Sequence, residues 1–262
     1  MDIQVLAKNL KFPEGPVVMD DGRVFFVELV GGTITEYHRH SKKITQHQTN
    51  GAPNGMIVKD NHTLIFCDSK QNAIRSLDLN NNTIDTLTDN INGEPLRAPN
   101  DLTHDQYGNI LFTCPGGSQN QAIGYMGSFT PQGKTVVIAE KMFFPNGLLF
   151  INNGQQIIIN ETWKQRLLLG NWNHKKLRIE NITEFYNLGG TAEPDGLSLS
   201  HDNKIYAAVY GTAMIWIFDT SGKLLEQIKL PGKNPTNLCF DHVGDLGLIV
   251  TEAEKGTLLS IK

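Results

Sequence analysis

Sulfur, charge of one sign and long apolar runs are all scarce in this chain. Its three cysteines, Cys67, Cys114 and Cys239, are odd in number and widely spaced, which excludes a disulfide framework. Each lies in or at the end of an apolar, strand-like run, where a thiol packs as a small hydrophobe, so all three are read as buried and reduced. No window approaches the roughly 18 uninterrupted apolar residues of a membrane-spanning helix. The opening Met1-Asp2-Ile3-Gln4-Val5 lacks the basic flank and apolar core of a secretory signal. A cytoplasmic location without a membrane partner is therefore the expectation. The formal net charge is -4, and the basic clusters, Lys42-Lys43 and His174-Lys175-Lys176, are small, so no nucleic-acid partner is expected either.

What the chain does have is a repeated phrase. Phe12-Pro13-Glu14-Gly15, Ala52-Pro53-Asn54-Gly55, Ala98-Pro99-Asn100-Asp101, Phe144-Pro145-Asn146-Gly147, Glu193-Pro194-Asp195-Gly196 and the degenerate Asn234-Pro235-Thr236-Asn237 place their prolines 40, 46, 46, 49 and 41 residues apart. A period in this range marks units that cannot bury an apolar face alone and must share one core. After each phrase come two short apolar runs separated by an Asp, Asn or Gly turn, as in Pro16-Val17-Val18, Asp20-Asp21-Gly22, Val24-Phe25-Phe26-Val27; these are hairpin signals. A second, more alternating pair follows, for example Thr33–Tyr37 with Ile44–His47, which makes four strands per unit. The last unit ends after three, at Gly256–Ile261, and Ile3–Ala7 at the N-terminus can supply the fourth. The expected fold is all-β: one domain over 1–262, a six-bladed β-propeller closed by its N-terminal strand. Trp-Asp blade ends are absent in register, and the period is shorter than that of kelch repeats.

In a propeller the first strand of every blade lines the central channel, so the residues after proline converge there: Glu14, Asn54, Asn100, Asn146, Asp195 and Thr236. Pro-Asn-Gly and Pro-Asp-Gly also serve as plain turns. Glu is a poor turn residue, however, and polar groups gathered on one axis are costly to bury unless something satisfies them. Two carboxylates with amide carbonyls form a hard oxygen set suited to Ca²⁺, with Mg²⁺ and Mn²⁺ as lesser alternatives and Zn²⁺ least favoured.

The phrases "FPEGPVV" with "GRVFFVE", "APNDLTHDQYGNILFT", "FPNGLLF", Glu161-Thr162, "PDGLSLSHDNKIYAAVYG" and "PTNLCFD" with "VTEA" resemble, in order and along essentially the whole chain, the SMP-30/gluconolactonase/luciferin-regenerating-enzyme family. The resemblance implies one catalytic divalent metal, commonly Ca²⁺, held by Glu14, Asn100, Asn146 and Asp195; in a mechanism consistent with it, Asp195 is the catalytic residue, accepting a proton from the attacking water or, as the alternative, attacking as a nucleophile. It implies a small lactone as substrate, with Asn54, Arg97 and Asp101 on the substrate side. Related propellers hydrolyse organophosphates, and a propeller that merely binds a partner is the alternative outside enzymology. Cys114 stands where many members carry Asp, and Ala98 and Pro99 separate Arg97 from Asn100, departures that bear on sugar specificity.

Glu28, Asp68, Glu161 and Glu252 end second strands and are read as partners for neighbouring backbone. His104, His201 and His242 are read as residues of surface turns. Trp163, Phe143, Tyr125 and Tyr210, near strand ends, are read first as core and second as pocket wall. The polar stretch 116–121 is read as a loop.

Overall fold

In the computed structural model, which describes residues 2–262, the repeated phrase opens or immediately precedes the first strand of six four-stranded antiparallel sheets. The inner strands are Pro13–Val18, Pro53–Asp60, Leu102–His104, Pro145–Ile151, Glu193–Leu199 and Pro235–Phe240. Each contacts the inner strand of the next blade, and that of the sixth contacts that of the first, so the six form a closed ring. The fold is a six-bladed β-propeller.

Burial explains the graded composition of each blade. Second strands are covered on both faces by neighbouring blades and read as nearly continuous apolar runs, as in Val24–Glu28, where every residue is buried. Fourth strands face solvent: Ile44–Gln48 is almost wholly exposed. Six buried apolar clusters fill the six blade interfaces, one each. Cys67 and Cys114 belong to the cluster between blades 2 and 3, and all three cysteines are unpaired, as the sequence implied.

Closure follows the expected route. Ile3–Ala7 pairs antiparallel with Thr257–Ile261, matching Ile3 to Ile261 and Val5 to Leu259. Asp2 and Lys262 exchange backbone hydrogen bonds of 2.9 and 3.0 Å beyond it. Blades 1 and 6 are further tied by Arg39, which grips Asp241 with both terminal nitrogens, the Nη2 bond measuring 2.7 Å. Burial alone would raise the Asp241 carboxyl, but Arg39 and the N–H groups of Leu246 and Gly244 carry it down to about 2. One element was not anticipated: a two-residue hairpin, Asn90–Ile91 with Glu94–Pro95, turned by Asn92-Gly93 with φ of 54° and 86°. Asn-Gly is a strong two-residue hairpin signal. Among the described residues no helix is long and apolar enough to cross a membrane.

Candidate metal centre and active site

Two local devices aim the motif residues. The first is a β-bulge: pairing with the second strand slips between Glu14 and Val17, Pro53 and Met56, Pro145 and Leu148, Pro194 and Leu197, and Pro235 and Asn237. A bulge re-aims side chains out of the ladder, and proline, which has no N–H to donate, tolerates the position. The second device is a carboxylate clamp. Glu28 accepts the Lys11 N–H at 2.8 Å, Asp68 the Ala52 N–H at 2.9 Å, Glu161 the Phe143 N–H at 2.7 Å and Glu252 the Asn234 N–H at 3.0 Å. The four strand-end acids thus hold the chain as it enters the phrase.

The residue before the motif proline is left-handed in three of the six blades. Phe12, Ala98 and Phe144, each immediately before a motif proline, have φ of 59°, 46° and 54°. A bulky residue in the left-handed region is an outlier, and such strain persists where surrounding structure over-determines it, commonly at functional sites. These three blades carry Glu14, Asn100 and Asn146. The residues before Pro53, Pro194 and Pro235 show no positive φ.

Glu14, Asn54, Asn146 and Asp195 are buried and Asn100 is half-buried. Burial pushes the Glu14 carboxyl well above the usual carboxylate range, and the negative charges of Asp195 and Asp101 push it further, against hydrogen bonds from Gly15 and Asn237. Asp195 is raised in the same direction, first by burial and then by Asp101, while the Asn146 amide opposes the shift. Burial raises Asp101 to about 6, against the Leu102 N–H and the Asn237 amide. Among the described residues no lysine, arginine or histidine forms an ion pair with any of the three. Three buried carboxylates that repel one another, with the Asn146 and Asn237 amides donating to them, match the charge of a hard divalent cation, whose oxygen ligands such carboxylates supply. Among the described residues no three His, Cys, Asp or Glu make a ligand group by themselves, so any set of ligands here would have to include amide or backbone oxygens.

One residue further along the strands lies a second polar layer. Four blades have glycine there; blade 3 has Asp101 and, three places round the ring, blade 6 has Asn237. Each side chain accepts the next N–H, Leu102 or Leu238, at 2.8 Å, and the Asn237 amide approaches Asp101 at 3.4 Å. The neighbouring glycines make room: a Cβ on Gly55 would stand 2.6 Å from the Asp101 Cα, and one on Gly196 2.7 Å from the Asn237 Cα.

Arg97 and Asp101, expected on the substrate side, have the following surroundings. Asp101 is buried under the ring, occupied with Leu102 and Asn237, and supplies negative charge. Arg97 is exposed; its guanidinium lies over the Tyr125 ring, 5.0 Å from the centroid, beside a cavity of about 770 Å³ between blade 3 and the inserted hairpin. Thr236 turns away from the channel and donates to the Pro13 carbonyl at 2.7 Å. Asn237 and Asn160 were missed. Asn160 donates its amide to the Asp195 carbonyl and Thr162 donates to Pro194 at 2.8 Å, so blade 4 holds the Pro194-Asp195 backbone. The break in the glycine column at Asn237 was visible in the sequence; nothing in the apolar run around Asn160 distinguished it.

At the mouth of the channel are aromatic pairs. Phe12 faces Tyr210 at 6.5 Å and 25°, and Phe144 meets Trp163 at 4.2 Å and 40°. All four are half-buried, so Trp163 and Tyr210 belong to the rim rather than the core, whereas Tyr125 is buried. The opposite mouth carries His104, His201 and His242, exposed on their turns as expected, around an open cavity of about 380 Å³.

The chain is similar in sequence or fold to known proteins. A gluconolactonase of Zymomonas mobilis subsp. mobilis is 25% identical over 275 residues, spanning 92% of this chain and 76% of that protein. The diisopropyl-fluorophosphatase of Loligo vulgaris is 28% identical over 167 residues, 56% of this chain and 52% of that protein. The solved structure of a calcium-binding protein, regucalcin, from Agrobacterium tumefaciens str. C58 superposes with a TM-score of 0.84 at 17% identity, covering 98% of this chain and 92% of that one. The model of the SMP-30/Gluconolactonase/LRE-like region matches residues 12–254, and with nearly the whole propeller inside that match, the chain belongs to this family.

Proposed function

We propose that this protein is a divalent-metal-dependent hydrolase that opens lactones, with Ca²⁺ the favoured ion and Glu14, Asn100, Asn146 and Asp195 the residues that would hold it. The observation that carries the reading is the buried cluster of Glu14, Asp101 and Asp195, which among the described residues no lysine, arginine or histidine pairs with, beside the Asn146 and Asn237 amides at the phrase end of the channel. The similarity to a gluconolactonase over most of the chain supports the lactone as substrate, and a calcium-binding protein of the same fold supports the choice of ion.

A bound divalent cation supplies Lewis acidity to the lactone carbonyl. The chain's own residues supply the rest. The bulges and the Asn160 and Thr162 clamps hold the Glu14 and Asp195 carboxylates toward the axis before substrate arrives, so little reorganisation accompanies reaction. Asp195 accepts a proton from the attacking water. The acyl C–O bond of the ring breaks, a bond from the water oxygen to the carbonyl carbon replaces it, and the proton passes to the departing ring oxygen, leaving a hydroxy acid. Asn54 lines the site beside them.

Phosphotriester hydrolysis at the same centre is the second reading, favoured by the similarity to diisopropyl-fluorophosphatase. A pH-indicator assay over aldonolactones, aliphatic lactones and a phosphotriester, with and without chelator, decides between them. Chelator-sensitive turnover of a lactone, lost in Asp195→Asn, is the expected result. Turnover of the phosphotriester alone would favour the second reading, and no turnover of any would leave a binding propeller.

A further inference from the structure

The blade whose phrase is degenerate is the one the aromatic rim spans. Phe12 enters blade 1 and Tyr210 ends the second strand of blade 5; their rings face each other across the entrance of blade 6. In that blade the motif residue is Thr236, and its hydroxyl is engaged with the Pro13 carbonyl and with Thr251 at 2.8 Å, so it offers no polar group to the mouth. Tyr210 is close to the centre: besides burial, the charges of Asp195, Glu193 and Glu14 act on its phenol. The phenol oxygen accepts the Asn234 amide at 3.0 Å, which leaves its own O–H free to donate. Phe144 and Trp163 form a second aromatic wall on blade 4. Arg97, the cation that could have gripped hydroxyls, is held over Tyr125 instead.

A polyhydroxylated lactone entering this mouth would exchange many hydrogen bonds to water for few to protein, and each hydroxyl left unpaired is costly. A flat apolar ring meets the opposite balance, because aromatic faces favour stacking and buried area. We infer that the Phe12–Tyr210 pair is a subsite for the apolar part of the substrate, so that the lactone taken carries a fused aryl ring or an alkyl chain, with Tyr210 its orienting donor. The inference rests on the lactone-hydrolase reading and narrows it.

The test compares kcat/KM of the full calcium-loaded chain for a benzo-fused δ-lactone and for an unsubstituted aldono-δ-lactone, in wild type, Phe12→Ala, Phe12→Leu and Tyr210→Phe. Saturation-transfer NMR on the matching non-hydrolysable lactams reads binding without turnover. Wild type should favour the aryl lactone at least about tenfold, the order of one good aromatic contact. Phe12→Ala should lose most of that preference through KM and Phe12→Leu part of it, while Tyr210→Phe should keep the preference and lower turnover of both lactones severalfold. Equal or better use of the aldonolactone, or a preference indifferent to Phe12, would overturn the subsite. If neither lactone is turned over, the hydrolase reading fails separately, and the lactams still decide: Phe12-dependent binding of the aryl lactam supports the subsite, and equal binding of both overturns it.

Discussion

The two mouths of the channel are made by opposite ends of the same six inner strands, yet one gathers buried carboxylates and the other exposed imidazoles. At the phrase end, bulges turn Glu14 and Asp195 inward and glycines let Asp101 and Asn237 close in beneath them. At the far end the strands run out into ordinary turns, and His104, His201 and His242 stay in water around Val17, Leu199 and Phe240, with His242 3.3 Å from Asp20. Water satisfies the histidines at no cost to the fold. The carboxylates are kept where the fold alone disfavours them, and buried charge without a partner is a hallmark of sites that bind or react.

The largest expected difference between the mouths is catalytic. Asp195→Asn and Glu14→Gln should each lower kcat/KM on a lactone by roughly 10³-fold or more, the range seen when a key electrostatic group is lost. Calcium should raise the Tm of the wild type and of neither variant, which calorimetry with and without chelator measures. A Tm shift by calcium that survives in both variants would move the metal away from this ring.

Next in size is a pH effect of opposite sign at the two ends. The Asp101 carboxyl, raised from 3.8 to about 6, binds its proton more tightly folded than unfolded. Its contribution to stability is therefore full below about pH 4 and is lost as pH rises through about 6, a loss of roughly 3 kcal/mol for a carboxyl displaced by about two on the pH scale. Glu14 and Asp195 are raised the same way and add to the trend. Metal-free protein should thus become less stable from pH 4 to 7 in urea titrations, and calcium, if it is held as proposed by the deprotonated carboxylates, should flatten or reverse the slope. Asp241 at the far end is lowered to about 2, so its contribution is present above about pH 4 and lost only in stronger acid. A metal-free stability that climbs between pH 4 and 7 would contradict the repulsion argued for the ring.

Packing separates the layers more modestly. Gly55→Ala would press its new methyl on the Asp101 backbone and should destabilise by about 1–3 kcal/mol, as overpacking does. Gly133→Ala, at an open turn with φ of 78° and no atom within 4 Å, meets only backbone strain. If urea midpoints fall equally for the two, the close approach at Gly55 is immaterial. Smallest of all, His104→Ala with His201→Ala at the far mouth should leave lactone turnover within about twofold and stability within about 0.5 kcal/mol; a clear loss of turnover would mean that the far mouth contributes to the site.

The blade count, the N-terminal closure and the clamping acids could be read in the sequence because each follows from local pattern: a period, a missing strand, an acid at a strand end. The approach of Glu14, Asn146 and Asp195 to one another followed from register alone. Asp101 was harder to read, since its meaning depends on the absence of a side chain at Gly55 in the preceding blade. Arg97 was harder still: its direction is decided by Tyr125, on another strand of the third blade. Asn160, alone among isoleucines, has a role only because the Asp195 carbonyl of the next blade comes to meet it.

By itself, then, the sequence determined what repeats: strand, turn and proline phrase are short-range features set by backbone sterics and burial period. Tertiary structure alone decided how the copies of the phrase differ in their surroundings. Strain at Phe12, Ala98 and Phe144, the filled second layer and the pairing of Phe12 with Tyr210 arise between blades, where contact depends on ring closure and residues far apart in the chain first share one axis.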